Sequence, residues 1–181
     1  IMEDCFNDLI TGQGEGAGWR QNREPTINAM NSVAAHAYAK KVEATFPVKK
    51  ATLWGGNLSI LSSLVGTPYL PTVKGGVLFL EDVAEHPYRV ERMLTQLLHS
   101  GVLARQKAII LGQFTEYKLV PHDKGFKLQS VVDWLRTQIT APVLTNLPFG
   151  HVQTKVLLPV GAKVSLSVED RDALLYWGHQ H

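Results

Sequence analysis

Two short segments hold residue types suited to proton transfer. Leu80-Glu81-Asp82 places two carboxylates directly after an apolar run, and Phe149-Gly150-His151 places an imidazole directly after a glycine. Imidazole takes and returns a proton near neutrality, and a carboxylate on its second ring nitrogen fixes the tautomer and stabilises the imidazolium. His151 and Glu81 are therefore the candidate general base and its orienting acid. Each also has a plainer reading. A helix is expected behind Glu81-Asp82, so Asp82 or a neighbour would cap it and both acids would favour its positive end. A single histidine at a loop is often a packed or surface residue.

A histidine–carboxylate pair needs a nucleophile. Cys5 is the single cysteine; it falls in an expected helix with no basic neighbour to lower its pKa, which makes it a poor thiolate. None of Ser32, Ser59, Ser62, Ser63, Ser100, Ser130, Ser165 or Ser167 stands in a G-x-S-x-G elbow or an S-x-x-K motif. The nucleophile is expected outside this chain. Metal chemistry is not supported either. His36, His86, His99, His122, His151, His179 and His181 show no H-x-x-x-H or H-E-x-x-H spacing, so no metal and no cofactor are expected.

These side chains must be carried by strands and helices that alternate from Ala51 onward. Ala51 to Trp54 reads as a strand entering Gly55-Gly56-Asn57, followed by an apolar helix from Leu58 to Val65 that Gly66 and Pro68 end. Trp54 and Asn57 are the candidate substrate contacts beside this turn, with a core position the alternative for Trp54. Gly76 to Leu80 is an apolar run of the kind buried on both faces. Behind it Val90, Met93, Leu94, Leu97 and Leu98 recur at helical spacing, with Pro87 at the start and Gly101 at the stop. Arg89 and Arg92 on that helix are expected to pair with Glu85 or across an interface rather than bind substrate. Ala108 to Leu111 is a third strand, Leu128 to Ile139 a helix, and Pro142 to Leu144 a short strand. Lys155 to Leu158, Lys163 to Val168 and Ala173 to Tyr176 are expected to close the domain as an antiparallel meander.

Upstream, Glu3 to Ile10 suggests a short helix, Thr11 to Gly18 a glycine-rich loop, and Thr26 to Ala44 an alanine-rich helix. The chain has 181 residues, of which 45% are hydrophobic, enough to bury a core. Its 18 basic and 16 acidic residues nearly cancel, with no charged run to bind nucleic acid. No apolar stretch approaches the ~20 residues that span a bilayer, so no membrane partner is expected.

At Trp54-Gly55-Gly56-Asn57-Leu58, from Leu80 to Leu94, at Gln106-Lys107-Ala108-Ile109-Ile110-Leu111-Gly112 and at Phe149-Gly150-His151, the sequence resembles the LD-carboxypeptidase family, the bacterial muramoyltetrapeptide carboxypeptidases. The resemblance runs from about Ala51 to Tyr176 in consistent order. It implies an α/β fold: a mixed sheet with flanking helices and a C-terminal antiparallel β meander, of the swivelling β/β/α kind. It also implies a cytoplasmic, homodimeric serine peptidase with a Ser-His-Glu triad that removes the terminal D-alanine from murein tetrapeptide during peptidoglycan recycling.

On the family's motifs Glu81 is the triad glutamate and His151 the triad histidine. The serine belongs to a G-x-S-D motif in an N-terminal domain, which this chain lacks and which is its expected partner. Residues 1–50 are then the end of that domain and a linker, and 51–181 the C-terminal catalytic domain. Two alternatives accompany this reading: a related serine peptidase acting on another amide, such as a peptide-nucleotide antibiotic, and a non-catalytic binding domain.

Overall fold

In the computed structural model, the structure describes residues 6–8, 10–22, 37, 38, 40 and 46–178. Cys5, most of the alanine-rich segment from Thr26 to Ala44, His36, His179 and His181 lie outside them.

The chain order of the elements is β1 (Gly16–Arg20), β2 (Val48–Asn57), α1 (Leu58–Ser63), β3 (Val77–Val83), α2 (Pro87–His99), β4 (Ala108–Thr115), α3 (Leu128–Gln138), β5 (Val143–Leu144), β6 (Lys163–Glu169) and β7 (Asp172–Tyr176). The strands form one sheet in the order β1-β7-β6-β2-β3-β4-β5. Strands β2 to β5 pair in parallel, as expected of strands joined by helical crossovers. The β1–β7, β6–β7 and β2–β6 pairs are antiparallel.

Alternation along each strand divides the core in two. Trp54, Leu78, Leu80, Ile109, Leu111 and Val143 face the helices, where they meet Leu58 and Leu61 of α1, Val90, Leu94 and Leu97 of α2, and Val131 and Leu135 of α3. Leu53, Val77, Phe79, Ala108, Ile110 and Leu144 face the other way, into a cluster completed by Trp19, Leu166, Leu175 and Leu147. The Val77-Leu78-Phe79-Leu80 run is at most 1% exposed because both faces of its strand are covered.

The two edges of the sheet meet. Trp19 of β1 donates its indole N–H to the Thr145 carbonyl just past β5 at 2.9 Å, and the Asn146 amide donates to the Arg20 carbonyl at 2.8 Å. The sheet thus curls around its second cluster. Tyr38 is anchored on β5, donating to the Val143 carbonyl at 2.9 Å and accepting from its N–H at 3.0 Å.

Two expectations are corrected. Thr11 to Gly18 is a loop only in part, since Gly16-Ala17-Gly18 begins β1 and pairs with Tyr176, Leu175 and Leu174 of β7. The glycines suit this strand: a Cβ on Gly16 would lie 2.6 Å from the Leu175 carbonyl oxygen, while Ala17 and Trp19 turn inward. Lys155 to Leu158 forms no strand. Its backbone is tied locally instead, with the Val156 N–H donating to the Pro148 carbonyl at 2.8 Å, and Leu158 reaches the core from a loop.

Candidate active site

The site lies at the C-terminal ends of the parallel strands, where open α/β sheets leave a crevice. Strand β3 runs on through Glu81 and Asp82 to Val83 rather than stopping at Leu80. Neither acid caps α2, whose N-cap is His86, so the plainer reading of Asp82 as a helix cap does not hold. By alternation Glu81 falls on the Phe79 face and Asp82 on the Leu80 face.

A register shift marks this point. Leu80 pairs with Leu111 and Asp82 with Phe114, so β4 takes three steps while β3 takes two. Such a bulge bends a strand and re-aims its side chains. It brings Gly112 beside Glu81, where a Cβ on Gly112 would stand 2.6 Å from the Phe149 carbonyl oxygen and 3.4 Å from the Glu81 Cβ. The missing side chain leaves room for the loop from Asn146 to His151 to dock on β4.

Several bonds fasten that loop. The Gln113 N–H donates to the Phe149 carbonyl at 2.8 Å. The Gln113 side-chain amide donates to Asn146 Oδ1 at 3.1 Å and to the Leu147 carbonyl at 3.0 Å. Phe149 packs edge-on against Phe79 with ring centroids 5.0 Å apart. Because Phe79 and Glu81 share a face, this ring contact carries the following residues over Glu81. Gly150 then passes close by with φ +133°, a conformation that side chains rarely adopt.

The result is a contact between His151 Nδ1 and Glu81 Oε2 at 3.4 Å. This is long for a hydrogen bond. The side chains differ in exposure, 59% for His151 and 7% for Glu81. Glu81 is held inside while the imidazole reaches out. With Nδ1 turned to the carboxylate, Nε2 is the ring nitrogen that could exchange a proton with another group. The Thr115 hydroxyl donates to the His151 carbonyl at 3.4 Å, and Lys155 Nζ donates to the Gly150 carbonyl at 3.3 Å.

Asn57 stands opposite Glu81 across the β2–β3 pair. Its side-chain N–H group donates to Glu81 Oε1 at 3.2 Å and to Asp82 Oδ1 at 2.9 Å, and its Oδ1 caps α1 by accepting from the Ile60 N–H at 3.1 Å. Trp54 does not line the site. It is 4% exposed, three residues back inside β2 on the helix face, and donates its indole N–H to Gln106 Oε1 at 2.9 Å. Strand alternation places it there, in the core position weighed as its alternative.

Arg89 pairs with Glu85 at 2.7 Å, the partner expected from their spacing. Ser59, Gly112 and Gln113 are contributors that single-residue inspection passes over. Only the glycine and the polar residues directly beyond apolar runs signal them. Among the described residues no serine hydroxyl bonds the His151 ring, no cluster of three metal-ligating side chains occurs, and no helix is long and apolar enough to cross a membrane.

Comparison with known proteins agrees with this architecture. The chain is 33% identical over 126 residues to a protein named probable murein peptide carboxypeptidase from Bacillus subtilis (strain 168), covering 70% of this chain and 40% of that protein. It is 37% identical over 115 residues to the murein tetrapeptide carboxypeptidase of Pseudomonas aeruginosa, covering 62% of this chain and 36% of the relative. The chain therefore spans well under half the length of these curated relatives.

The crystal structure of muramoyltetrapeptide carboxypeptidase from Oxalobacter formigenes superposes with a TM-score of 0.81 at 38% identity, covering 99% of this chain and 55% of that one. The structure of MccF in complex with glutamyl sulfamoyl guanosine has a TM-score of 0.62 at 23% identity, covering 72% of this chain and 39% of that one, a likeness of fold alone. Residues 50–166 match the LD-carboxypeptidase C-terminal domain, and the chain belongs to that family.

Proposed function

We propose that this chain supplies the histidine and glutamate of a serine-type LD-carboxypeptidase whose nucleophile lies on an N-terminal domain outside it. The observation that carries the reading is the His151–Glu81 contact of 3.4 Å, with the acid buried and the imidazole exposed at the strand ends. His151 Nε2 takes the proton from the serine hydroxyl as the serine oxygen attacks the carbonyl before the terminal D-alanine. The imidazolium, steadied by Glu81, then gives that proton to the leaving amine as the C–N bond breaks. Water, deprotonated by the same histidine, cleaves the acyl-enzyme and restores the serine.

The substrate is murein tetrapeptide, and the setting is cytoplasmic peptidoglycan recycling by a homodimer. Residues 51–181 are the catalytic domain that contributes Glu81 and His151; of the 1–50 stretch expected to be the end of the N-terminal domain and a linker, Gly16–Arg20 instead completes this domain's sheet as its edge strand β1. The relatives named as murein peptide carboxypeptidases support the substrate class.

The test uses the complete protein with His151→Ala or Glu81→Ala. D-alanine release from murein tetrapeptide should fall by a factor of about 10³ or more while folding is kept. Near-normal turnover in either variant would sink the assignment. Running a peptide-nucleotide amide in parallel decides the substrate, since faster cleavage of that amide would replace the murein reading.

A further inference from the structure

Asp82 is a carboxylate that the proposed chemistry does not consume, and it is only 3% exposed. All of its acceptor capacity is engaged. Oδ1 accepts from Asn57 Nδ2 and from the Val83 N–H, each at 2.9 Å. Oδ2 accepts from the Ser59 N–H at 2.9 Å and from the Ser59 hydroxyl at 2.6 Å. An acid placed only to anchor the start of α1 would need the Ser59 bonds alone. The bond to Asn57 does something more.

An asparagine side chain can turn over, exchanging its oxygen with its nitrogen. Here the turned form would aim the carbonyl at two carboxylates and leave the Ile60 N–H facing the amide NH2, another donor. Asp82 makes the shorter of the two Asn57 Nδ2 contacts, 2.9 Å against 3.2 Å to Glu81 Oε1, and so excludes that form. Its consequence is carried to Glu81. With Oε1 held by an N–H from Asn57, Oε2 is the oxygen left to meet His151.

We propose that Asp82 is a positioning residue that acts through Asn57: it fixes the amide that fixes the Glu81 carboxylate against His151. The inference rests on the reading of Glu81 and His151 given above. The chain of contacts runs from Asp82 on the helix face of the sheet, around the strand end through Asn57, to Glu81 on the other face. An asparagine at position 82 keeps the shape but replaces one oxygen by a donor, so it cannot accept from all four donors at once.

The experiment compares Asp82→Asn, Asn57→Ser, Glu81→Gln and Val131→Ala in the complete protein. Asn57→Ser keeps an oxygen able to cap α1 but withdraws the amide from Glu81. Val131→Ala lowers stability from the remote core and measures what destabilisation alone does to turnover. In Asp82→Asn and Asn57→Ser, kcat for D-alanine release should fall by about tenfold or more with KM little changed. Nitrogen-15 NMR of His151 should show the Nδ1-protonated tautomer giving way to the Nε2-protonated one.

Wild-type kcat and tautomer in both variants, with Glu81→Gln inactive, would overturn the role of Asp82 and leave the triad reading standing. Turnover retained by Glu81→Gln would instead overturn the triad reading, and this inference with it. If Asp82→Asn does not fold, Asn57→Ser decides by the same readouts.

Discussion

Gly150 and Glu81 are so close that a Cβ built on the glycine would lie 3.1 Å from the Glu81 Oε2 atom and 3.0 Å from the Gln113 carbonyl oxygen. The glycine before His151 is thus part of the geometry that brings His151 and Glu81 together. Backbone at φ +133° and a contact this tight both exclude a side chain. Gly150→Ala should therefore move His151 off Glu81 and lower kcat more than it lowers thermal stability, because Gly150 itself belongs to neither hydrophobic cluster. Kinetics and thermal melts on the same samples check this. A melt lowered with kcat unchanged would contradict it.

Closure of the sheet gives a stability prediction. Trp19→Phe keeps a ring in the inner cluster but removes the indole N–H that reaches Thr145, a bond between the two edges of the sheet. Leaving that buried carbonyl without its donor should cost about 1–3 kcal/mol. Urea unfolding should show a lower midpoint with an unchanged slope. An unaltered midpoint would mean that the edges are held together by other contacts.

The loop after β4 carries a pH dependence. Asp123 accepts from the Val120 N–H at 2.6 Å and faces His86 Nε2 at 3.2 Å. The Val120 amide first, and then the hydrogen bond and charge of His86, hold the Asp123 carboxyl below its ordinary value of 3.8. A carboxyl lowered in the folded state contributes stability above its unfolded value, and that contribution is lost as pH falls through the folded one. Amide exchange in the Glu116 to Lys127 segment should therefore accelerate, relative to the rest of the chain, as pH drops below about 3.8. Asp123→Asn should abolish that relative acceleration. An acceleration that persists in the variant would assign it to another group.

The sequence carried the parallel half of this fold plainly, for definite reasons. Val77 to Leu80 reads as a doubly buried strand because apolar residues on both faces leave no polar alternation, and α2 reads as a helix because Pro87 and Gly101 bracket an apolar stripe. Strand β1 was illegible. Its glycines are strand residues only because β7 lies beside them, a pairing between residues more than 150 positions apart in the chain. Lys155 to Leu158 failed in the opposite sense, with strand-like composition but no neighbour to complete a ladder.

At the site, Glu81 and His151 were visible by type and by their place after apolar runs, whereas their contact depends on the bulge between Leu80 and Asp82, which no local pattern encodes. The bonds of Asp82 were not legible locally, because its donors Asn57 and Ser59 come from a different strand–helix turn.

The central claim is that His151 and Glu81 form the base of a triad completed from outside this chain. The most direct measurement is the distance from His151 Nε2 to the nearest serine Oγ in a crystal structure of the complete protein. A serine of the N-terminal domain, in a G-x-S-D turn and within about 3.2 Å of Nε2, with the His151–Glu81 contact kept, is the predicted result. A domain placed with no serine near Nε2, or an imidazole turned away from Glu81, would contradict it.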